Sequence, residues 1–133
     1  MIYSLDTNII IHLIIGTSAV SARYEECLSN GGIIAISPYV DFEVRRGLRY
    51  KNATAKERIY ERLCQNWNIG EINRNVWSQA VIIYVGLRHS GFTVGDADIL
   101  IAAFCVENGY TLVTNNAKDF QNINGLCFVD WVK

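Results

Sequence analysis

The stretch "IYSLDTNIIIHLII", Ile2–Ile15, decides the fold. Four β-type residues run into an aspartate, and the nine residues after it read as a helix, so Asp6 marks a strand that turns directly into a helix. The same succession recurs along the chain. Residues 33–36 "IIAI", 67–72 "WNIGEI", 110–114 "YTLVT" and 127–131 "CFVDW" read as four more strands. Residues 18–29, 38–50, 54–66, 73–90 and 96–108 read as helices. Pro38 suits a first helical turn because its missing N–H is not needed there, and Gly91 and Gly109 stand where helix ends favour a residue without a Cβ. In the 73–90 helix, Val76, Trp77, Ala80, Val81, Tyr84 and Leu87 recur at helical spacing and predict one apolar stripe facing the core.

Strands separated by helices need crossover connections. The expected architecture is therefore a three-layer α/β/α sandwich around a mostly parallel sheet of about five strands. Such sheets bind ligands beyond the carboxyl ends of their strands, where the strand order reverses.

With 133 residues, half of them apolar and only one proline, residues 1–133 suit a single folded domain with a real core. The longest apolar run near the start, "IIIHLII" (Ile9–Ile15), is far shorter than the roughly 20 residues that span a bilayer. No basic residue precedes it and Asp6 interrupts it, which argues against a signal peptide and for a cytoplasmic protein without a membrane partner. Cys27, Cys64, Cys105 and Cys127 have no zinc-ligand spacing and read as small buried apolar residues. His12 and His89 have no Cys or His partner at metal spacing, and packing or helix-end roles suit them best.

The net charge of −1 conceals an uneven distribution. Seven of the twelve basic residues, Arg45, Arg46, Arg49, Lys51, Lys56, Arg58 and Arg62, fall within one short stretch that holds only Glu57 and Glu61 as acids. Such a strip can hold a phosphate backbone, with Arg45, Arg46, Arg49 and Lys51 as the candidate contacts; an ordinary solvated helix pair fits the charge pattern equally well.

The acids are the second pattern. Asp6 ends the first strand. In "VGDADILIAAFCV", Val94–Val106, Asp96 is placed to cap a helix, while Asp98 shares a face with Ile101, Ala102 and Cys105. An unpaired charge toward an apolar layer is costly, so a cation is expected to meet Asp98 there. Glu43 follows the second strand and can pair with Arg46, as Asp41 can with Arg45. The fourth strand ends in "TNNAKDF", which crowds Thr114, Asn115, Asn116 and Asp119 together. Each acid alone has an ordinary explanation as a cap or a surface partner. The topology, however, would gather Asp6, Asp98 and the Asp119 segment at one rim, with Glu43 beside them. Clustered carboxylates stay ionised only if a cation neutralises them, and hard oxygen donors select Mg²⁺ or Mn²⁺. Such an ion beside a basic strip is equipment for cutting a phosphodiester.

With those residues in view, the sequence resembles the PIN-domain ribonucleases, and most closely the VapC toxins of toxin–antitoxin pairs. "LDTNIII", "FEVRRGL", "DADILIAAF" and "GYTLVTNNAKDF" look like the family's four motifs in order, and the resemblance covers essentially the whole chain. It implies a Mg²⁺-dependent endoribonuclease acting on structured RNA, tRNA foremost, dimeric and held inactive by a small antitoxin protein. Carried onto this chain, Asp6 and Asp98 match the principal metal-ligand positions and Glu43 the helical acid. Thr7, Asn8 and Thr114 match polar positions that help to arrange the site. Many relatives carry an aspartate where this chain has Asn116, whose amide can coordinate or hydrogen-bond but adds no charge. Either Asn116 or Asp119 completes the acidic site, Asp119 being the one that would bring the fourth charge, and Asp96 is expected to serve as a cap or supporting partner.

Three other readings compete with this one. A haloacid-dehalogenase phosphatase needs a second aspartate where Asn8 stands, and a response-regulator receiver needs an aspartate ending the third strand, which "WNIGEI" lacks. A non-catalytic RNA-binding or interaction module with the same fold would use the basic strip but leave the convergent acids without a purpose.

Overall fold

Because helices separate every strand from the next, all the strands of the sheet run the same way. The computed structural model describes residues 1–133, in the order β1 (Ile2–Leu5), α1 (Thr7–Ile15), α2 (Ser18–Ser29), β2 (Ile33–Ile36), α3 (Pro38–Tyr50), α4 (Thr54–Cys64) and β3 (Asn68–Ile69), followed by α5 (Arg74–His89), α6 (Asp96–Asn108), β4 (Thr111–Val113), α7 (Ala117–Phe120) and β5 (Cys127–Val129). The five strands form one parallel sheet in the order β3-β2-β1-β4-β5. The expected α/β/α architecture is the one observed.

Strand β1 lies at the centre, with Tyr3 opposite both Ile34 of β2 and Thr111 of β4. The chain steps outward from β1 to β2 to β3, then returns across the sheet to β4 on the other side of β1. Right-handed crossovers put helices made in opposite directions on opposite faces, so α1–α4 cover one face and α5–α7 the other. The reversal falls between β1 and β4, and their carboxyl ends deliver Asp6 and Thr114 to the same rim.

Leu5, Ile9, Ile10, Ile36, Leu112 and Phe120 are wholly buried and tie the sheet to its helices. Helix α6 accounts for the apolar run after Asp98: Ile99 and every residue from Ile101 to Cys105 are buried, because α5, α3 and β4 all pack against it. Ser37 caps α3, its Oγ accepting the Tyr39 N–H at 3.2 Å ahead of Pro38, and Gly109 ends α6 in the left-handed region at φ 70°. His12 lies in the last turn of α1, its Nδ1 2.9 Å from Thr17 Oγ1 just beyond the helix.

Four sequence expectations need correction. The strand expected over 67–72 is only Asn68–Ile69. Trp67 is still in the turn, its N–H donating to the Cys64 carbonyl at 3.1 Å, and the chain leaves the sheet after Gly70 donates to Ile36 O at 2.8 Å. The strand expected over 127–131 stops at Val129, after which the Asp130 carboxylate accepts the Val132 N–H at 2.8 Å and turns the chain. The α5 stripe divides: Val76, Ala80, Ile83 and Leu87 are buried, while Trp77, Val81 and Tyr84 face outward with Ile82 and Val85. Of the cysteines, Cys27 and Cys105 are buried, Cys64 is partly so, and Cys127 is exposed on the edge strand β5. No helix is long and apolar enough to cross a membrane.

Candidate active site

Asp6 is fixed by three elements at once. Its backbone N–H continues the β1–β4 ladder to Val113 O at 2.9 Å. Its Oδ1 caps α1 by accepting the Thr7 N–H at 2.7 Å, and its Oδ2 accepts from Thr114 Oγ1 at 2.9 Å. Thr114, wholly buried, accepts in turn from the Asn116 N–H at 3.0 Å. The carboxylate is thereby held rigidly where the strand order reverses.

Thr7 carries the arrangement to the next acid, its Oγ1 donating to Glu43 Oε1 at 2.8 Å and linking α1 to α3. The other oxygen of Glu43 faces Arg46 at 3.6 Å, as the sequence spacing foretold. Asp98 stands half-buried in the first turn of α6. Asp119 reaches it from α7, within hydrogen-bonding range, and the Asn116 side-chain amide donates to the Asp119 carboxylate. Asn116 thereby orients the Asp119 carboxylate.

Two of these four carboxylates, Asp98 and Asp6, have a raised proton affinity. Burial is the main cause at Asp98, with the negative charges of Asp119 and Asp6, the Asp119 hydrogen bond and the charge of Glu43 added; together they push it up to about 6. Asp6 is also raised, first by burial and then by Glu43 and Asp119, against the opposing hydrogen bonds from Thr114 and the Thr7 N–H. No cationic side chain meets Asp98: the three ion pairs of the structure engage Asp41, Glu43 and Glu57, leaving Asp6, Asp98 and Asp119 without one.

An anionic cluster of hard oxygen donors with no cationic side chain at its centre suits Mg²⁺ or Mn²⁺. No three Asp, Glu, His or Cys side chains stand at a spacing that would close around an ion by themselves. An open rim of this kind fits an ion that keeps several of its waters and takes only a few carboxylates.

Some expected residues lie outside this network. Asp96 is not the helix cap, since Gly95 holds that position without a side-chain bond and Asp96 is the first, exposed residue of α6. Asn8 is exposed in the first turn of α1 next to Thr7. The arginines of the basic strip are partly neutralised: Arg45 pairs with Asp41 at 3.5 Å and Arg49 with Glu57 at 2.7 Å, while Lys51 is exposed at the end of α3. Sequence reasoning passed over α7, whose four residues are too short to show helical periodicity.

A family model described as PIN domain matches residues 3–126. The chain belongs to the PIN-domain family. Over the full length of both proteins this PIN-domain chain is 31% identical to Ribonuclease VapC2 of Rickettsia felis, which places it with the VapC ribonucleases. Among solved structures it resembles VapBC2 of Rickettsia felis bound to a DNA fragment from their promoter, with a TM-score of 0.90 at 28% identity, covering 98% of this chain and 99% of that one. It also resembles a toxin–antitoxin complex from Klebsiella pneumoniae, with a TM-score of 0.73 at 25% identity, covering 96% of this chain and 95% of that one.

Proposed function

We propose that this chain is a divalent-metal-dependent endoribonuclease, the toxin of a toxin–antitoxin pair, which cuts structured RNA, tRNA foremost, in the cytoplasm. The observation that carries the reading is the convergence of Asp6, Glu43, Asp98 and Asp119 at the rim where the strand order reverses, with the arginines of α3 alongside. Asp6 and Asp98 would hold Mg²⁺ or Mn²⁺, with Glu43 and Asp119 completing the anionic surface. When bound, the ion makes a water more acidic and offsets negative charge on the reacting phosphate.

The chain's own groups supply the rest. Thr114 and the Thr7 N–H fix both oxygens of Asp6, and the Thr7 hydroxyl fixes Glu43, so these acids need no rearrangement when RNA arrives. A carboxylate oxygen of the Asp98–Asp119 pair would accept the proton of the attacking water. Arg45, Arg46, Arg49 and Lys51 hold the flanking phosphates; the ion pairs of the three arginines lie half in water and exchange readily for a phosphate.

The partner implied by the family is an antitoxin protein. The resemblance also implies a homodimer, and the outward apolar face of α5, with Trp77, Val81 and Tyr84, is a surface that such a contact would cover. A non-catalytic RNA-binding module is the alternative reading.

The deciding experiment is cleavage of a total tRNA pool by the wild type and by Asp98→Asn, each with Mg²⁺ and with EDTA. Cleavage that requires both the metal and Asp98 is the expected result. RNA binding without cleavage under any of these conditions would favour the non-catalytic module instead.

A further inference from the structure

The outer face of α3 carries a group that the acidic cluster does not use. Val40, Val44 and Leu48 are the buried residues of this helix, whereas Phe42 is 52% exposed. Arg46, one turn further on, lays its guanidinium 4.8 Å from the centre of the Phe42 ring and at the same time reaches Glu43 Oε2 at 3.6 Å. Tyr39 meets the ring from the preceding turn, with centroids 6.2 Å apart and planes tilted by 50°. Ring, guanidinium and acid thus form one continuous step that ends at the site, since Glu43 shares the Thr7 hydroxyl bond with the helix capped by Asp6. The groove around them, about 440 Å³, is lined by Pro38, Asp41, Phe42, Arg45, Arg46 and Arg49.

Tyr39 also packs against the core, but Phe42 and Arg46 are exposed and have a use toward RNA that they do not have toward the core. Unpaired bases stack on aromatic rings and on guanidinium planes, and arginines on either side can follow the backbone. We propose that Phe42, with Arg46 laid over it, is a stacking platform for one unpaired base of the RNA next to the cut phosphodiester, and therefore a specificity-determining residue. This rests on the ribonuclease reading above. It restricts the cut to loops, bulges or ends, because a base held in a duplex stack cannot reach the ring.

The test is the affinity of the full-length protein, in EDTA so that nothing is cut, for a short single-stranded RNA of mixed sequence and for the same strand with abasic central nucleotides. Phe42→Ala is expected to weaken the ordinary strand roughly 5- to 100-fold and to leave the abasic strand unchanged. Phe42→Trp should bind as the wild type does, and Phe42→Leu should behave as Phe42→Ala. Because the ring is on the surface, all three variants should melt with the wild type. Equal weakening of both strands, full binding by Phe42→Leu, or no effect of Phe42→Ala would each overturn the platform while leaving the nuclease intact. A wild type that neither binds RNA in EDTA nor cuts it with Mg²⁺ would overturn the ribonuclease reading and this inference with it.

Discussion

Asp98→Asn should make the metal-free protein more stable at neutral pH, although it removes a residue placed to hold the ion. Asp98 is raised from an ordinary 3.8 to about 6, chiefly by burial and by the charges of Asp119 and Asp6. Below pH 4 it is protonated in both the folded and the unfolded chain and costs nothing. As the pH rises from 4 to 6 the unfolded chain releases its proton first, so stability falls, and above 6 the full penalty applies. Two pKa units correspond to about 3 kcal/mol, and because the residue is only half-buried, solvent screening reduces this to about 1 kcal/mol. For a chain of this length that is a melting shift of roughly 3–5 °C. Thermal denaturation in EDTA from pH 4 to 8 measures it: wild type and Asp98→Asn should coincide near pH 4 and separate by pH 7, the variant melting higher. Mg²⁺ at pH 7.5 should then raise the wild type and leave the variant unmoved. A variant that melts below the wild type at neutral pH, or a gap that does not change with pH, would refute the argument that crowded carboxylates strain the fold.

Other expectations follow from single contacts. Thr114→Val removes the buried hydroxyl that donates to Asp6 and should cost about 1–3 kcal/mol in urea denaturation, with a loss of nuclease activity. Gly70→Ala places a Cβ 2.6 Å from Phe104 Cζ and should destabilise by about 1–3 kcal/mol, with a lowered urea midpoint as the readout. Arg46→Ala combined with Arg49→Ala breaks only exposed ion pairs and should change stability by less than about 1 kcal/mol. The same double variant should weaken RNA binding and flatten its dependence on log salt by about 1.4, from about 0.7 for each single-strand phosphate contact; an unchanged slope would remove these arginines from the interface.

The sequence made the alternation of strands and helices legible because Asp6, Pro38, Gly91 and Gly109 punctuate it with residues that have strong local preferences. Asp6 and Asp98 were legible for the same reason, standing where a strand ends and in the first turn of a helix, whereas Glu43 lies midway along α3 and Asp119 inside α7. Periodicity did not reveal which face of α5 is covered, since Trp77, Val81 and Tyr84 are as apolar as the residues beneath them. Nor could it reveal α7, where one turn of helix brings Asp119 back to within reach of Asn116. Asp96 was mistaken for the cap because a side-chain preference pointed to it, whereas Gly95 holds the position with backbone alone. That the acids would meet was an inference from topology; that the arginines would be occupied by neighbouring acids depended on side-chain reach, which spacing only suggests.

The hydrogen bond between Thr114 and Asp6 joins residues 108 positions apart, and Asp119 arrives later still. During synthesis the first strand therefore emerges long before its neighbour β4, and the two cannot pair until the chain beyond Thr114 has left the ribosome. Pairing so distant in sequence is slow to form. Until then the nascent chain carries Asp6, Glu43 and Asp98 without an assembled rim. The rim, with whatever chemistry belongs to it, therefore comes into being only after Thr114 and Asp119 have both emerged, however early the strand that carries Asp6 is made.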